Sequence, residues 1–262
     1  MDLKLKGKRI LVTGAGRGLG RQLCRALYAH GCHVLAVSRS MEPLTSLKQE
    51  CPDIEIISLD LTALEKVREI LKDVDTLDGV VNNVARIPPK TYPALEFPVE
   101  ELDSTIDLNI KGTINVIQIA AKKMIEANRP GSIVNVSDVL SLQAYPGVMA
   151  NNVTKAAVDM ITKQFALELG PQKIRVNTIN PTLMIHDGIK EFLKTNAWFG
   201  DMISEKTPLG RPADVEEVVG PILYLLSDLS SMVTGTNQIV DGGALFAFAN
   251  HVKPMDNITW TA

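Results

Sequence analysis

No apolar run in the chain is long enough to cross a bilayer, and the first residues lack the apolar core of a secretory signal. Cysteine is scarce as well: Cys24, Cys32 and Cys51 form an odd set without C-x-x-C spacing. Such a set is typical of free, mostly buried thiols in a reducing compartment and argues against a disulfide framework. We therefore expect a cytoplasmic protein without a membrane span.

A large charge of either sign is also absent, since the formal net charge is -3 at pH 7. A protein that binds nucleic acid by neutralising phosphates needs a basic surface, so we expect no nucleic-acid partner. His30 and His33 lie close together, at the turn into a predicted strand. We interpret them as a solvated helix end rather than a metal site, and we expect no metal ion.

What the chain does contain is a glycine-rich turn between an apolar strand and a helical pattern. The turn follows residues 8–12, a short apolar run typical of a buried parallel strand. Gly14, Gly18 and Gly20 form a G-x-x-x-G-x-G pattern, and Leu19 stands where the common G-x-G-x-x-G has its third glycine. Glycines let the backbone approach a pyrophosphate, and the N–H groups of the helix start point at the anion. The turn predicts a nucleotide phosphate site.

Apolar runs and helical patterns alternate along the 262 residues. We predict seven strands, at residues 8–12, 33–38, 54–59, 77–82, 131–136, 173–178 and 237–240. Helical patterns lie at residues 43–50, 64–73, 99–127, 150–169 and 213–227, whereas residues 181–211 are irregular with short helical pieces. This alternation predicts parallel strands with right-handed crossovers. The expected fold is a single α/β domain of the Rossmann type, a doubly wound parallel sheet with helices on both faces.

Ligands of such sheets bind beyond the carboxyl ends of the strands, so the residues after each strand are candidate binding residues. Ser38 and Arg39 follow the second strand. An acidic residue there accepts hydrogen bonds from the ribose of NAD, whereas an arginine pairs with the 2′-phosphate of NADP. Arg17, inside the glycine turn, can approach the same phosphate. Either arginine alone could be a solvated surface charge, but together they favour NADP(H).

Two further loops follow neighbouring strands. Asp60 and Leu61 come after the third strand and could border an adenine, although Asp60 could equally cap the next helix. Asn83 follows the fourth strand, where a short polar side chain can tie the loop and line a cofactor. We therefore add these three residues to the candidate cofactor-binding set.

The motifs in this order resemble the short-chain dehydrogenase/reductase family along nearly the whole chain. The likeness is carried by residues 13–20, 82–85, 107–110, 134–137, 174–177, 181–182, 209–211 and 233–243. Within the family, residues 37–40, 167–171, 173–177 and 225–228 most resemble the dicarbonyl/L-xylulose reductase branch. The resemblance implies a Rossmann-type domain over residues 1–243 that binds NADP(H), with Pro181 and Thr182 at the cofactor.

The resemblance also implies a carbonyl reduction. In the family a Tyr protonates the carbonyl oxygen while NADPH delivers hydride, and a Lys four residues later lowers the pKa of that Tyr and holds the ribose. A Ser polarises the carbonyl, and an Asn on the long helix holds a water of the proton relay. Asn109 and Lys155 match two of these positions, but Asn151 stands at the Tyr position. Asp138 stands at the Ser position, thirteen residues before Asn151.

Both changes remove a function that carbonyl reduction needs. An amide is no acid near neutral pH, and losing general acid catalysis typically costs ~10²–10⁴-fold in rate. An ionised Asp138 would put a carboxylate, which only accepts hydrogen bonds, against a developing alkoxide. Losing one hydrogen-bond donor to such an alkoxide already lowers the rate about 10²–10³-fold. We expect Asp138 to pair with Lys155 or with a cationic ligand instead.

Three hypotheses stay open. We favour a NADP(H)-binding member of the family with lost or strongly reduced carbonyl reductase activity, acting as a binding, regulatory or structural protein. Alternatively, the protein is an active NADPH-dependent oxidoreductase that uses Tyr145, Ser141 or His186 as proton donor, or in which Asp138 protonates or stabilises an imine-like nitrogen. The third hypothesis is a scaffold or partner-binding protein without cofactor, against which the intact glycine turn and Lys155 argue. The substrate or small-molecule ligand is not identified.

Two segments are expected to meet the substrate or a partner chain. Residues 184–199 occupy the substrate-lid position of the family, where Trp198 would give an apolar lid or pack in the core. The tail at residues 244–262 runs past the usual end of the branch and is expected to pack on the domain or on a neighbouring subunit. Residues 151–170 resemble the helix that pairs across the family's dimer interface, so we expect a homo-oligomer, dimer or tetramer.

Overall fold

The computed structural model describes residues 2–88 and 90–249, with the side chains of residues 248 and 249 left out. The described strands are β1 (Arg9–Thr13), β2 (His33–Ser38), β3 (Glu55–Ser58), β4 (Gly79–Asn82), β5 (Gly131–Val136), β6 (Ile174–Pro181), β7 (Met184–Ile185), β8 (Ala213–Asp214) and β9 (Asn237–Val240). The helices are α1 (Gly18–Ala29), α2 (Met41–Glu50), α3 (Leu64–Leu71), α4 (Val99–Ile106), α5 (Thr113–Glu126), α6 (Met149–Leu169), α7 (Asp187–Thr195), α8 (Ala197–Lys206), α9 (Val215–Leu226) and α10 (Ala244–Ala249).

Seven of these strands form one parallel sheet in the order β3-β2-β1-β4-β5-β6-β9. The prediction of a doubly wound Rossmann-type sheet is confirmed. The order of the strands reverses between β1 and β4, which places a crevice at their carboxyl ends. Among residues 2–88 and 90–249, no helix is both long and apolar enough to cross a bilayer.

The strands are apolar on both faces because helices cover the sheet from both sides. In β1, Ile10 and Val12 point into a core formed with α1, α2 and α9. Leu11 points the other way, into a second core formed with α3, α5 and α6. The two cores explain why β1 reads as a continuous apolar run rather than as an alternating one.

Two parts of the chain differ from the predicted elements. The helical stretch predicted over 99–127 is interrupted by a π-helical segment, Asp107–Gly112, between α4 and α5. The segment 181–211, predicted as irregular, contains β7, α7 and α8, and β7 pairs with β8 in a second two-stranded sheet. The predicted helix at 213–227 accordingly begins at Val215. Strands of two residues show no periodicity, which is why the sequence pattern did not reveal them.

The glycine turn between β1 and α1 is packed against the loop that follows β4. Gly14 and Gly18 have φ values of +69° and +54°, a backbone conformation that glycine adopts without strain. A Cβ on Gly20 would lie 2.3 Å from the carbonyl O of Gly14. The amide Nδ2 of Asn83 donates to the carbonyl O atoms of Thr13 (3.0 Å) and Gly14 (3.3 Å). The amide of Asn83 therefore holds the turn on one side and α1 packs against it on the other. At position 20 there is no room for a side chain.

We expect Gly20→Ala to destabilise the protein by about 1–3 kcal/mol, because the new methyl group must displace backbone atoms of the turn. Gly220→Ala in α9 is the matched control, since no atom lies within 4 Å of the added Cβ. At Gly220 the alanine should stabilise the helix by about 0.5–1 kcal/mol. Urea denaturation followed by circular dichroism gives both free energies of unfolding. Equal effects of the two substitutions would contradict the tight packing of the turn.

Candidate active site

The crevice at the carboxyl ends of β1, β2 and β4 collects most of the residues expected to bind a cofactor. Ser38, at the end of β2, faces the glycine turn, because its Oγ would lie 3.2 Å from a Cβ on Gly16. Arg17 and Arg39 are exposed beside this turn and β2. The first turn of α1 contains no acidic residue, so no carboxylate of that turn opposes an anion at the helix N-terminus. The crevice thus fits a dinucleotide that carries phosphate groups.

The loop after β3 is ordered by Asp60. Its Oδ1 accepts hydrogen bonds from the backbone N (2.9 Å) and the Oγ1 (2.8 Å) of Thr62. These two bonds lower the pKa of Asp60, and the bond from the backbone N of Thr62 has the larger effect. The positive charge of nearby Arg39 lowers the pKa further. Because α3 begins only at Leu64, the alternative of Asp60 as a helix cap is wrong.

Two candidate cofactor-binding residues have side chains that point into the core. Leu19 is 4% exposed and belongs to the core with α1, and Leu61 is 5% exposed and lies in the core on the other face. Any contact of these two residues with a cofactor would therefore come from their backbones. Pro181 and Thr182, at the end of β6, are buried, and the Thr182 N donates to the carbonyl O of Val240 (3.1 Å).

His186, a candidate substrate residue or proton donor, lies against the glycine turn. A Cβ on Gly18 would be 3.7 Å from its Cδ2. Partial burial lowers the pKa of the His186 imidazole, the charge of Arg17 lowers it further, and Asp187 opposes the shift. His186 is therefore placed to meet a phosphate group at the turn, a role that its position in the sequence did not suggest.

The four residues at the positions of the family tetrad lie on three elements. Asn109 is in the π-helical segment, Asp138 follows β5, and Asn151 and Lys155 are one turn apart on α6. The Oδ1 of Asp138 accepts from the backbone N of Leu140 (2.9 Å). The amide of Asn151 lies close enough to Asp138 to lower the pKa of its carboxyl group. The structure thus places the two unexpected residues beside each other.

Burial dominates the electrostatics of this cluster. Asp138 is partly exposed at the crevice, yet the protein atoms around it raise the pKa of its carboxyl group. The N–H of Leu140, the charge of Lys155 and the Asn151 amide oppose that shift, and Asp159 adds to it. Burial also lowers the pKa of the Lys155 ammonium, against the charges of Asp138 and Asp159. Both shifts favour the neutral forms.

Lys155 and Asp138 do not form the expected ion pair. The Nζ of Lys155 donates to the carbonyl O of Val136 at 2.6 Å, and its attraction to Asp138 acts through space. A backbone carbonyl can satisfy one of the ammonium donors without moving Lys155 toward the crevice. The carboxyl group of Asp138 is therefore left without a cation in direct contact.

Asn109 holds the loop after β4 to α6. Its Oδ1 accepts from the backbone N of Arg86 (2.7 Å), and its Nδ2 donates to the carbonyl O of Arg86 (3.0 Å) and to the Oγ1 of Thr154 (3.1 Å). The π-helical segment presents this amide inward, as such segments often do at functional sites. The sequence pointed to Asn109 but missed Arg86 and Thr154 as its partners.

The other candidate proton donors are engaged elsewhere. The Oγ of Ser141 lies 2.6 Å from the Oδ2 of Asp159, so this hydroxyl belongs to a second polar cluster. The hydroxyl of Tyr145 lies 3.5 Å from the Sδ of Met202 on α8. Trp198 is 64% exposed and stacks edge-on against Phe199, with ring centroids 5.7 Å apart. Trp198 is thus a surface residue of α8, and the alternative of a core tryptophan is wrong.

Asp159 is a buried carboxylate that the sequence did not single out. Its oxygens also accept from the Nδ2 atoms of Asn180 (3.1 Å) and Asn237 (2.6 Å), so it joins β6 and β9 to the segment after β5. It lies one helical turn after Lys155, on the same buried face of α6. An acidic residue on a buried helical stripe was the signal that could have revealed it. The described residues contain no group of three or more His, Cys, Asp or Glu that could hold a metal ion.

Comparisons with known proteins agree with this architecture. The family profile described as enoyl-(acyl carrier protein) reductase matches residues 14–244. L-xylulose reductase from Mesocricetus auratus is 44% identical over 249 residues, which cover 94% of this chain and 99% of that protein. Carbonyl reductase (NADPH) 2 from Sus scrofa is 41% identical over 245 residues, with the same shares of 94% and 99%.

Solved structures show the same fold. A short-chain type dehydrogenase/reductase from Mycobacterium ulcerans superposes with a TM-score of 0.87 at 31% identity, covering 92% of this chain and 90% of that one. A gluconate 5-dehydrogenase from Burkholderia cenocepacia in complex with NADP and tartrate has a TM-score of 0.86 at 29% identity, covering 93% and 97%. The chain belongs to the short-chain dehydrogenase/reductase family, whose fold binds a nicotinamide cofactor and serves oxidoreductases.

Proposed function

We propose that the protein binds NADP(H) and has lost, or retains only strongly reduced, carbonyl reductase activity. The observation that carries the proposal is that Asp138 and Asn151 lie beside each other at the positions where the family resemblance places Ser and Tyr. The cofactor half of the site supports NADP(H), since Asn83 and the glycine turn form the phosphate cradle.

The preference for NADP(H) over NAD(H) rests on charge. Arg39 follows β2, where an acidic residue would select the free ribose hydroxyl of NAD. Arg17 and Arg39 are both exposed at this edge of the sheet, and a guanidinium pairs well with a phosphate group. Carbonyl reductase (NADPH) 2 and the NADP complex of gluconate 5-dehydrogenase are named with the same cofactor.

The chemistry of the second half explains the reduced activity. When bound, NADPH supplies a hydride, so carbonyl reduction requires a proton donor and a hydrogen-bond donor at the oxygen. Asn151 cannot release a proton near neutral pH, and its Nδ2 is directed at Asp138. Once Asp138 has given up its proton, its carboxylate would repel a developing alkoxide. Lys155 and Asn109 remain, but neither supplies the missing acid.

A scaffold without cofactor is the less supported hypothesis, because the phosphate cradle is complete in the described residues. A Cβ on Gly14 would lie 2.8 Å from the Nδ2 of Asn83, and Gly20 is equally crowded. Packing of this kind is expected where a backbone must stay close to a ligand. We propose a single domain over residues 1–243. Phe248 and Trp260, the tail aromatics expected to meet a neighbouring subunit, lie outside the described side chains, whereas Phe246 is 70% exposed.

We further propose a cytoplasmic location. All three cysteines are buried and none forms a disulfide in the described residues. Burial raises the pKa of the Cys32 thiol to about 11, so this thiol stays protonated and unreactive. Such thiols are typical of proteins in a reducing compartment.

We expect the purified protein to bind NADPH more tightly than NADH and to oxidise neither with diacetyl or L-xylulose. Loss of the acid and of the hydroxyl donor should leave at most about 10⁻² of the rate of the Asp138→Ser, Asn151→Tyr double variant. Nicotinamide fluorescence measures binding, and absorbance of the nicotinamide measures turnover.

The Asp138→Ser, Asn151→Tyr double variant is the matched control, because it restores the serine hydroxyl and the tyrosine proton donor in the same protein. Rapid turnover by the unchanged protein would contradict the loss of activity. Failure to bind either nucleotide would contradict the cofactor assignment.

His186 gives cofactor binding a pH dependence. Its imidazole lies at the phosphate-binding turn beside Arg17, with Asp187 as the opposing charge. The protonated ring can attract a phosphate, and that attraction is present below the pKa of His186 and lost as the pH rises through it. Because the pKa of His186 lies below its usual range, the gain in cofactor affinity is confined to acidic pH.

We expect the affinity for NADP⁺ to rise, relative to a His186→Gln variant, as the pH falls from about 8 to about 5. The gain at the acidic end should be roughly tenfold, the size of one charge-assisted contact. Calorimetric titration of both proteins measures it, and the variant corrects for protonation of the 2′-phosphate. A constant ratio of the two affinities would exclude this role of His186.

We also propose that α6 pairs with α6 of a second copy. Val153, Met160 and Leu167 are exposed on α6 by 47%, 62% and 74%, and their spacing of seven residues puts them on one stripe. An exposed apolar stripe of this length marks an interaction surface. Residues 151–170 resemble the dimer helix of the family, which makes a second copy of the chain the occupant.

Met160→Glu should therefore halve the molar mass in light scattering, because two copies of the stripe would bring the new charges together. Met41→Glu is the control, since Met41 is 47% exposed on α2, away from the stripe. A monomeric parent protein, or an unchanged mass after Met160→Glu, would exclude pairing through α6.

A further inference from the structure

The altered half of the site presents hydrogen-bond acceptors to a ligand. The Oδ1 of Asn151 is buried and has no partner among the described residues, and Asn151 as a whole is 3% exposed. Its Nδ2 is directed at the carboxyl group of Asp138, whose Oδ1 accepts from Leu140. A buried acceptor without a partner is costly, and a ligand that donates hydrogen bonds removes the cost.

The charges around Asp138 point to the same kind of ligand. Two carboxyl groups, Asp138 and Asp159, face the single ammonium of Lys155 from the segment after β5 and from α6. Asp159 is satisfied by Ser141, Asn180 and Asn237. Lys155 donates to Val136. Asp138, in contrast to Asp159, is the carboxyl group of this cluster that still lacks a partner of opposite charge in direct contact.

We propose that this site takes a C=N substrate, which binds as the neutral imine with its nitrogen at Asp138, becomes an iminium there, and places its N–H near the Oδ1 of Asn151. Asp138 is both the proton source and the counter-ion of this ligand. The proposal rests on the proposed binding of NADP(H) and names the substrate class of the same site.

The reaction balances with the groups present and one reduced nicotinamide. A neutral imine takes the proton of Asp138, which leaves an iminium beside a carboxylate. When bound, the reduced nicotinamide would supply a hydride to the iminium carbon, and the C=N π pair would move to nitrogen to give an amine. Water returns a proton to Asp138 after the amine leaves. No proton is needed at an oxygen, so the missing Tyr hydroxyl is not required.

Burial supports the role of Asp138 as the acid. Because the pKa of its carboxyl group is raised, the proton is retained to higher pH than on an exposed aspartate. Lys155 and Asn151 oppose that shift, and Asp159 adds to it. The carboxylate that forms stabilises a cation but repels an alkoxide, so the same residue favours imines and disfavours ketones.

The first experiment measures binding without turnover. The NADPH complex is titrated with pyrrolidine, an ammonium at neutral pH that cannot be reduced, and its dissociation constant is compared between the parent protein and Asp138→Asn. The isosteric amide removes the charge, so we expect binding to weaken at least about tenfold. Asp103→Asn, on the exposed side of α4, is the matched control and should leave binding unchanged.

The second experiment measures turnover of 1-pyrroline and of cyclopentanone, rings of equal size with C=N and C=O. We expect NADPH oxidation with 1-pyrroline at a rate about 10²-fold above that with cyclopentanone. Asn151→Leu gives a second variant should Asp138→Asn fail to fold. It removes the acceptor Oδ1 and should weaken pyrrolidine binding as well.

Each failure has its own signature. Tight NADPH binding together with equal pyrrolidine affinity in the parent and Asp138→Asn proteins overturns the C=N assignment and leaves the proposed function standing. Turnover of cyclopentanone at the rate of 1-pyrroline also overturns it. Absence of NADPH binding overturns the proposed function, and the C=N assignment with it.

Discussion

The contact of the Asn83 amide with the glycine turn is the interaction on which the crevice depends. Two hydrogen bonds from its Nδ2 hold the carbonyl groups of Thr13 and Gly14, while the backbone N of Asn83 donates to the Oγ1 of Thr13. These bonds join β1 to the loop after β4 at the point where the strand order reverses. Because Gly20 adds no side chain, α1 starts directly behind the turn and its N–H groups face the crevice.

The central strands were predictable because they are buried on both faces, so that burial and sequence pattern carry the same information. The runs around Val12 and Val34 are apolar, and the run around Val134 is mostly so; all three strands were found. The π-helical segment at Asn109 was not predictable, since one extra residue in a turn leaves the apolar spacing of a long helix nearly intact. Pairing of β7 with β8 depends on contacts between distant segments, which no local pattern encodes.

The family resemblance placed Asp138, Asn151 and Lys155 at neighbouring positions of one site, and the structure brings these three residues together. Their roles stay a prediction. Of the two expected partners of Asp138, Lys155 forms no ion pair with it, because a buried ammonium is served as well by a backbone carbonyl as by a carboxylate. A cationic ligand stays a prediction. His186 could belong to a lid or to a phosphate site, and its closeness to Gly18 supports the phosphate site.

The two altered residues make physical sense as a pair. If position 151 kept the tyrosine of the family, Asp138 would add a negative charge beside it without removing the tyrosine as proton donor. The amide of Asn151 instead offers both a hydrogen-bond donor and an acceptor. Asn151 steadies the carboxyl group through its Nδ2 and keeps its Oδ1 for another donor. Together the two altered residues exchange a site that donates hydrogen bonds to an oxygen for one that accepts them from a nitrogen.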